Sequence, residues 1–164
     1  MIKKILKEEN VTLPNIKGEM DDIERATQDL NRRHQFNVSV REMIESFEES
    51  DPTPLYPDIW SKLENTESTQ IDPGEYSKVF YIADKYDKSN PLKLAKKLLN
   101  NTYKYPLIVR FNDQYHLVAG NTRLSMAAAL GITPMVFIAD VNKPYPVDES
   151  LIKNILKTHI HENI

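Results

Sequence analysis

The chain contains no cysteine, which excludes disulfides, thiolate metal sites and a cysteine nucleophile. No apolar run approaches the roughly 20 residues that a membrane-spanning helix needs. The first residues, Met1-Ile2-Lys3-Lys4-Ile5-Leu6-Lys7-Glu8-Glu9, carry charge where a signal peptide would need an apolar stretch. A cytoplasmic location without membrane contact is therefore expected. Basic charge is not in excess either: 21 Lys and Arg face 24 Asp and Glu, giving a net charge of -3 and a pI near 5.8. That balance argues against a dedicated nucleic-acid binder, which usually carries a basic surplus. There is no internal repeat and no low-complexity tract. What remains is ordinary for a soluble globular protein: 164 residues, 40% hydrophobic and 27% charged. This length suits one domain, or one domain with an elaborated end.

The two halves differ in texture. Helical spacing of Met20, Ile23, Ala26, Thr27 and Leu30 predicts a helix over Glu19 to Arg33. Ser39-Val40-Arg41-Glu42 reads as a capping box opening a second helix, with Met43, Ile44 and Phe47 on one face. Asp51-Pro52-Thr53-Pro54 ends it, because proline cannot continue the hydrogen-bond ladder. A short helix with Trp60 is expected over Pro57 to Glu64. Glu64 to Gln70 has no apolar residue and reads as an exposed loop. Asp72-Pro73-Gly74-Glu75 then offers an N-cap, with proline at the first helical position, to a helix holding Tyr76, Val79, Phe80 and Ala83. Asn90-Pro91 opens a further helix, with Leu92, Ala95, Leu98 and Leu99 inward and Lys93, Lys96 and Lys97 outward.

Two β-rich runs, Pro106 to Phe111 and Tyr115 to Ala119, flank the turn formers Asn112-Asp113-Gln114 and read as a hairpin. An alanine-rich helix follows over Asn121 to Leu130, with Gly131 as its natural C′ residue. Pro134 to Val141 is nearly all apolar, as in a strand covered on both faces. Asp148-Glu149-Ser150 caps a C-terminal helix with Leu151, Ile152, Ile155 and Leu156 on one side.

The most informative stretch is the turn Ala119-Gly120-Asn121-Thr122-Arg123. A strand reaches a glycine and hands over directly to a helix. The first N–H groups of that helix lack intrahelical partners, and the positive end of its dipole faces outward. Arg123 adds a fork of donors suited to phosphate oxygens. The segment is built to hold an anion, a phosphate above all. The alternative is a plain strand-to-helix turn, with glycine chosen for backbone freedom and Arg123 in a surface ion pair. Asn121 serves either as the N-cap or as a ligand contact, and Thr122 can donate its hydroxyl to a phosphate.

Accessory candidates are weaker. His116 lies out of phase with Tyr115, Leu117 and Ala119, so it faces either the ligand cleft or solvent. Arg110 stands on the neighbouring strand. Lys97, with Lys93 and Lys96, forms either a solvated basic face or a track for a phosphate chain. Asp84, Asp87 and Asp140 are candidate magnesium ligands, because nucleotide chemistry keeps that ion on one or two carboxylates. His159-Ile160-His161-Glu162 is a further metal candidate. Trp60, Tyr56 and Phe47 read as packing residues before they read as a base-stacking platform.

These elements resemble the ParB/sulfiredoxin-like superfamily, and among its members the small ParB-like nuclease-domain proteins often encoded by bacteriophages. The resemblance rests on Tyr105-Pro106-Leu107-Ile108-Val109, on Tyr115-His116-Leu117-Val118-Ala119-Gly120-Asn121-Thr122-Arg123-Leu124, and on Ala127-Ala128-Ala129-Leu130-Gly131-Ile132. It covers about Pro91 to Val141, roughly a third of the chain. It implies a small mixed sheet with flanking helices and a glycine-x-x-arginine turn that binds a nucleotide phosphate. Members include CTP-hydrolysing partition proteins, ATP-using sulfiredoxins, free-serine kinases and nucleases. Sulfiredoxins need a cysteine, which this chain lacks. Partition proteins and the kinase members usually carry a glutamate after the glycine, where Asn121 stands, and an amide cannot act as a general base. Residues 142–164 are too few for the helix-turn-helix domain of partition proteins, so partition is not the expected role.

The expected architecture is α+β: a helical N-terminal extension over residues 1–70, a ParB/sulfiredoxin-like core over 71–142, and a C-terminal helix over 143–164. The expected function is nucleotide or phosphate binding at Gly120, Asn121, Thr122 and Arg123, with ATP or CTP and Mg²⁺, in a kinase or NTPase. The alternatives are a non-catalytic phage protein that binds a host protein or DNA, and a metal-dependent nuclease.

Overall fold

The computed structural model describes residues 13–34, 36–87, 90–141 and 154–157. The protein is a mixed α+β fold built on a five-stranded sheet. In chain order its elements are α1 (Met20–His34), α2 (Val40–Glu48), β1 (Pro52–Pro54), α3 (Pro57–Trp60), β2 (Leu63–Glu64), a 3₁₀ turn (Ser68–Gln70), α4 (Tyr76–Ile82), a π turn (Ala83–Asp87), α5 (Pro91–Leu99), β3 (Leu107–Phe111), β4 (Gln114–Ala119), α6 (Asn121–Leu130) and β5 (Met135–Asp140). No described helix is long and apolar enough to cross a membrane.

The strands lie in the order β1-β5-β3-β4-β2. β3 and β4 form the expected hairpin, pairing Val109 with His116 and Phe111 with Gln114. Its turn is two residues rather than three: Asn112 and Asp113 both have positive φ, 47° and 62°, the geometry that matches the twist of a hairpin. β5 returns parallel to β3, with α6 as the crossover from β4. The outer strands come from the stretch assigned to the N-terminal extension. β1 pairs antiparallel with β5, and β2 pairs parallel with β4. That stretch is woven into the sheet.

Alternation along the strands divides the core. Leu107, Val109, Phe111, Val118, Phe137 and Ala139 share one large buried cluster with Ile23, Ala26 and Leu30 of α1 and Met43 and Phe47 of α2. Ile108, Leu117 and Val136 form a second cluster with Leu55, Leu63 and Leu124. α1 begins at Met20, one residue after the expected Glu19, with Asp21 and Asp22 in its first turn and Arg32 and Arg33 in its last, complementing the helix dipole. Ser39 caps α2 by accepting the Glu42 N–H at 3.1 Å, and Asn90 caps α5 through the N–H groups of Leu92 and Lys93.

Four local expectations need correction. Helix α3 stops at Trp60, and Leu63–Glu64 is a strand. Segment 64–70 is not an exposed loop: it closes with the 3₁₀ turn, and Ser68 is buried. Helix α4 starts at Tyr76 rather than at Pro73: Glu75 does accept the Asp72 N–H at 2.7 Å, as a capping box would, but Gly74 at φ 90° and Glu75 at ψ 58° are not helical. Tyr76 and Phe80 face outward while Val79 and Ile82 are buried, and on α5 Leu92 and Leu99 are exposed although Leu98 is buried. Each short helix presents a narrower apolar stripe inward than its residue types suggest. Of the expected C-terminal helix only residues 154–157 are described; they are helical with Ile155 and Leu156 exposed. The His159–Glu162 candidate and the charged segment Met1–Glu9 lie outside the described residues.

Candidate functional site

Helix α6 follows β4 with a single residue between them. Gly120 takes φ +115°, a backbone region that side chains disfavour. A Cβ there would lie 2.6 Å from the Pro106 Cβ. This glycine is dictated by the turn and by the proline beside it. Because Gly120 contributes no side chain, nothing caps α6 there. The first intrahelical bond is Leu124 N–H to Gly120 C=O at 2.9 Å, so the amides of Asn121, Thr122 and Arg123 precede the ladder and point out of the helix. Apart from Asn121, Arg123 and Leu130, the residues of α6 are buried, and Gly131 ends it in the left-handed region at φ 69°.

A cleft of about 640 Å³ opens at this N-terminus, within the range of small-molecule and cofactor sites. Its floor is Leu117 to Arg123. One wall is α1, with Asp22, Arg25, Ala26 and Asp29 behind Glu19, and the other is Asn65, Thr66 and Glu67. The carboxylates of Glu19, Asp22, Asp29 and Glu67 outnumber the guanidinium groups of Arg25 and Arg123.

Two of the turn's three polar side chains, those of Asn121 and Arg123, are already engaged. Asn121 does not cap the helix; it occupies the first helical position. Its Oδ1 accepts the Thr66 hydroxyl at 2.8 Å and the Glu67 N–H at 3.0 Å. Behind it the Trp60 indole N–H donates to Ser68 Oγ at 2.9 Å, and Ser68 and Thr66 hydroxyls are 2.7 Å apart. With Thr66 donating to Asn121, the proton between the hydroxyls belongs to Ser68, giving one directed chain from Trp60 to Asn121. Asn65 Nδ2 adds a bond to the Leu117 carbonyl at 2.9 Å. These bonds fasten the wall 65–67 to the turn. Arg123 donates to the Lys104 carbonyl at 2.7 Å and pairs with Glu19 at 2.5 Å. The pair is 16% and 13% exposed, well shielded from water. Thr122 is buried.

The accessory candidates do not assemble here. Arg110 pairs with Asp113 at 3.0 Å and approaches Asp140 at 3.8 Å, beside the Tyr115 ring. Lys97, on exposed α5, does not line the cleft. Asp84 is exposed, Asp140 is spent on Arg110, and the Asp87 side chain lies outside the described residues. Among the described residues no group of three or more acidic or histidine side chains could hold a metal ion by itself. Phe47 is core, as expected; Tyr56 is exposed.

His116 is neither solvated nor in the cleft. It is 4% exposed, and neither ring nitrogen has a hydrogen-bond partner among the described residues. Burial pushes its pKa below the ordinary value of 6.5; Glu64 opposes that shift and His34 and Arg33 add to it. A lowered folded pKa means the unfolded chain takes up the proton first. Stability from this group is complete above about pH 6.5 and falls as the pH drops through that value toward the folded pKa. His116→Leu should therefore reduce the slope of unfolding free energy between pH 7 and 5, by up to about 1.4 kcal/mol per pH unit. Urea melts across that range are the measurement; an unchanged slope would dismiss the assignment.

Protein-family models, curated proteins and solved structures were each compared with the chain. None matches it. Sequence reading found the floor of the cleft, Gly120 to Arg123, but missed Glu19, Asp22, Asp29 and the 65–67 wall. The acidic start of α1 was visible in the sequence, but nothing local joins it to a turn a hundred residues later. The polarity of Asn65-Thr66-Glu67 was also visible; its hydrogen bonds to Asn121 were not.

Proposed function

We propose that the cleft binds a phosphate-bearing ligand, a magnesium nucleotide such as ATP or CTP, with its phosphate at the mouth of the Gly120 turn. The observation that carries this reading is that Gly120, Asn121, Thr122 and Arg123, at the uncapped start of α6, all line one cleft of about 640 Å³. Hairpin, glycine turn, α6 and returning β5 also follow the order expected from the ParB/sulfiredoxin-like resemblance, which supports the same reading. The acidic wall bears on the form of the ligand. Three of its four carboxylates are ion-paired, Glu19 with Arg123, Asp22 with Arg25 and Asp29 with Arg32, yet the four outnumber the guanidinium groups that line the cleft. A phosphate carrying magnesium offers that wall a cation, which one or two carboxylates can hold. When bound, magnesium would neutralise phosphate charge. The protein's share is then positioning: the amides and Arg123 orient the phosphate, and the Asn121-anchored wall shapes the cleft. Asn121 supplies no base, and both lone-pair directions of its Oδ1 are used internally. A hydrolytic or transfer step is therefore not assigned to it.

Titration calorimetry of the full chain with ATP and with CTP, each with Mg²⁺, tests the reading. Saturable binding is expected, and Arg123→Ala should weaken it about 10- to 100-fold, the worth of a hydrogen bond to a charged group. No heat at millimolar nucleotide with the folded wild type, nor with a folded Glu19→Gln variant that frees the Arg123 guanidinium, would remove the proposal. The second reading is a non-catalytic interaction module, favoured by the internal engagement of both Asn121 and Arg123. It anticipates partner capture that tolerates Arg123→Ala.

A further inference from the structure

We infer that Glu19 is a latch on this site: its carboxylate occupies the place on Arg123 that the ligand's anionic group would take, and binding requires its release. The inference rests on the phosphate reading above and adds a regulation to it. Arg123 has two contacts of different kinds. Its Nη1 is held by the Lys104 backbone carbonyl, and its Nη2 by Glu19. The first fixes the guanidinium in place; the second fills its ligand-facing side, since both Glu19 and Arg123 line the cleft. Removing Glu19 would leave an oriented, uncompensated cation beside three leading amides.

The position of Glu19 makes release feasible. It stands immediately before α1, whose first intrahelical bond runs from Ile23 N–H to the Glu19 carbonyl at 2.9 Å. Its backbone is thus fixed while its side chain can turn on three bonds. A carboxylate swung away from Arg123 stays at the N-terminus of α1, where the helix dipole favours negative charge. A phosphate carries more charge than a carboxylate and can engage the α6 amides as well as the guanidinium. Ligand and latch therefore compete for one guanidinium, and the ligand has the additional partners. The apparent affinity is the intrinsic affinity reduced by the fraction of molecules with the latch open.

Calorimetry with Mg-ATP on full-length wild type, Glu19→Gln, Glu19→Asp and Arg123→Ala tests this. The latch predicts that Glu19→Gln binds at least about tenfold more tightly than wild type, as for an open fraction of one tenth or less. Glu19→Asp, with the charge kept but the reach shortened, should fall between the two, and it supplies the reading if Glu19→Gln fails to fold. Arg123→Ala should weaken binding about 10- to 100-fold, whether Glu19 is kept or replaced by Gln. A wild type that binds while Glu19→Gln binds equally or less well overturns the latch and leaves the phosphate reading standing. Absence of binding in wild type and in every Glu19 variant overturns both. Binding that appears only once Glu19 is changed supports the latch most strongly, because a merely structural Glu19 would weaken the site when removed.

Discussion

Gly120→Ala is expected to lower the unfolding free energy by about 3 kcal/mol. Two independent costs add. The first is conformational: φ +115° is a region that residues with a Cβ avoid, at about 1–3 kcal/mol for such strained backbone. The second is steric, because the new Cβ would sit 2.6 Å from Pro106 Cβ and 2.9 Å from its Cγ. Proline cannot rotate out of the way, and its own Cα is at 3.0 Å, so the backbone of one strand end must shift. Overpacking of this kind costs about 1–3 kcal/mol. For a chain of this length the melting temperature should fall by roughly 6–12 °C, measurable by thermal and urea denaturation. A variant as stable as wild type would show that the turn tolerates a side chain. It would also remove the structural explanation of the glycine.

Phe47→Ala is the second large effect. Phe47 is fully buried on α2, in one cluster with Leu107, Val109 and Phe137 of the central strands. Truncating a buried phenylalanine costs about 3–5 kcal/mol through lost transfer energy and the cavity left behind. The form of the transition matters as much as its size. β1 and β2 pair with the sheet, and α1 and α2 contribute to its main cluster. The whole described body should therefore melt in one cooperative step, shifted as a unit by this substitution. Two separate transitions, with only one moved by Phe47→Ala, would mean that residues before 70 form a unit of their own.

The parts of the fold legible in the sequence are those with strong local chemistry. Ser39 and Asn90 announced their helices through caps, Asn112-Asp113 the hairpin, and Gly120 and Gly131 the two ends of α6. The unread parts depend on partners distant in the chain. Pro52-Thr53-Pro54 carries a helix-stop signal, yet it forms a strand because β5 offers an open edge to pair with. Thr66 and Ser68 look like loop residues because polarity alone does not reveal that Trp60 and Asn121 will bond them. His116 reads as solvated from its place in the alternation; α1 covers that face. At the candidate site the same division holds. The amides and Arg123 follow from the local turn, whereas Glu19 reaches Arg123 only through the tertiary fold.

The central claim is that the leading amides of α6 meet a phosphate. Amide chemical shifts of ¹⁵N-labelled full-length protein, titrated with Mg-ATP and Mg-CTP, address it most directly. Saturable shifts of the Asn121, Thr122 and Arg123 amides, among the largest in the spectrum and needing about 10- to 100-fold more nucleotide in Arg123→Ala, are the expected result. If those three amides stay unmoved at millimolar nucleotide, in wild type and in Glu19→Gln alike, while each spectrum remains that of the folded chain, the claim is contradicted.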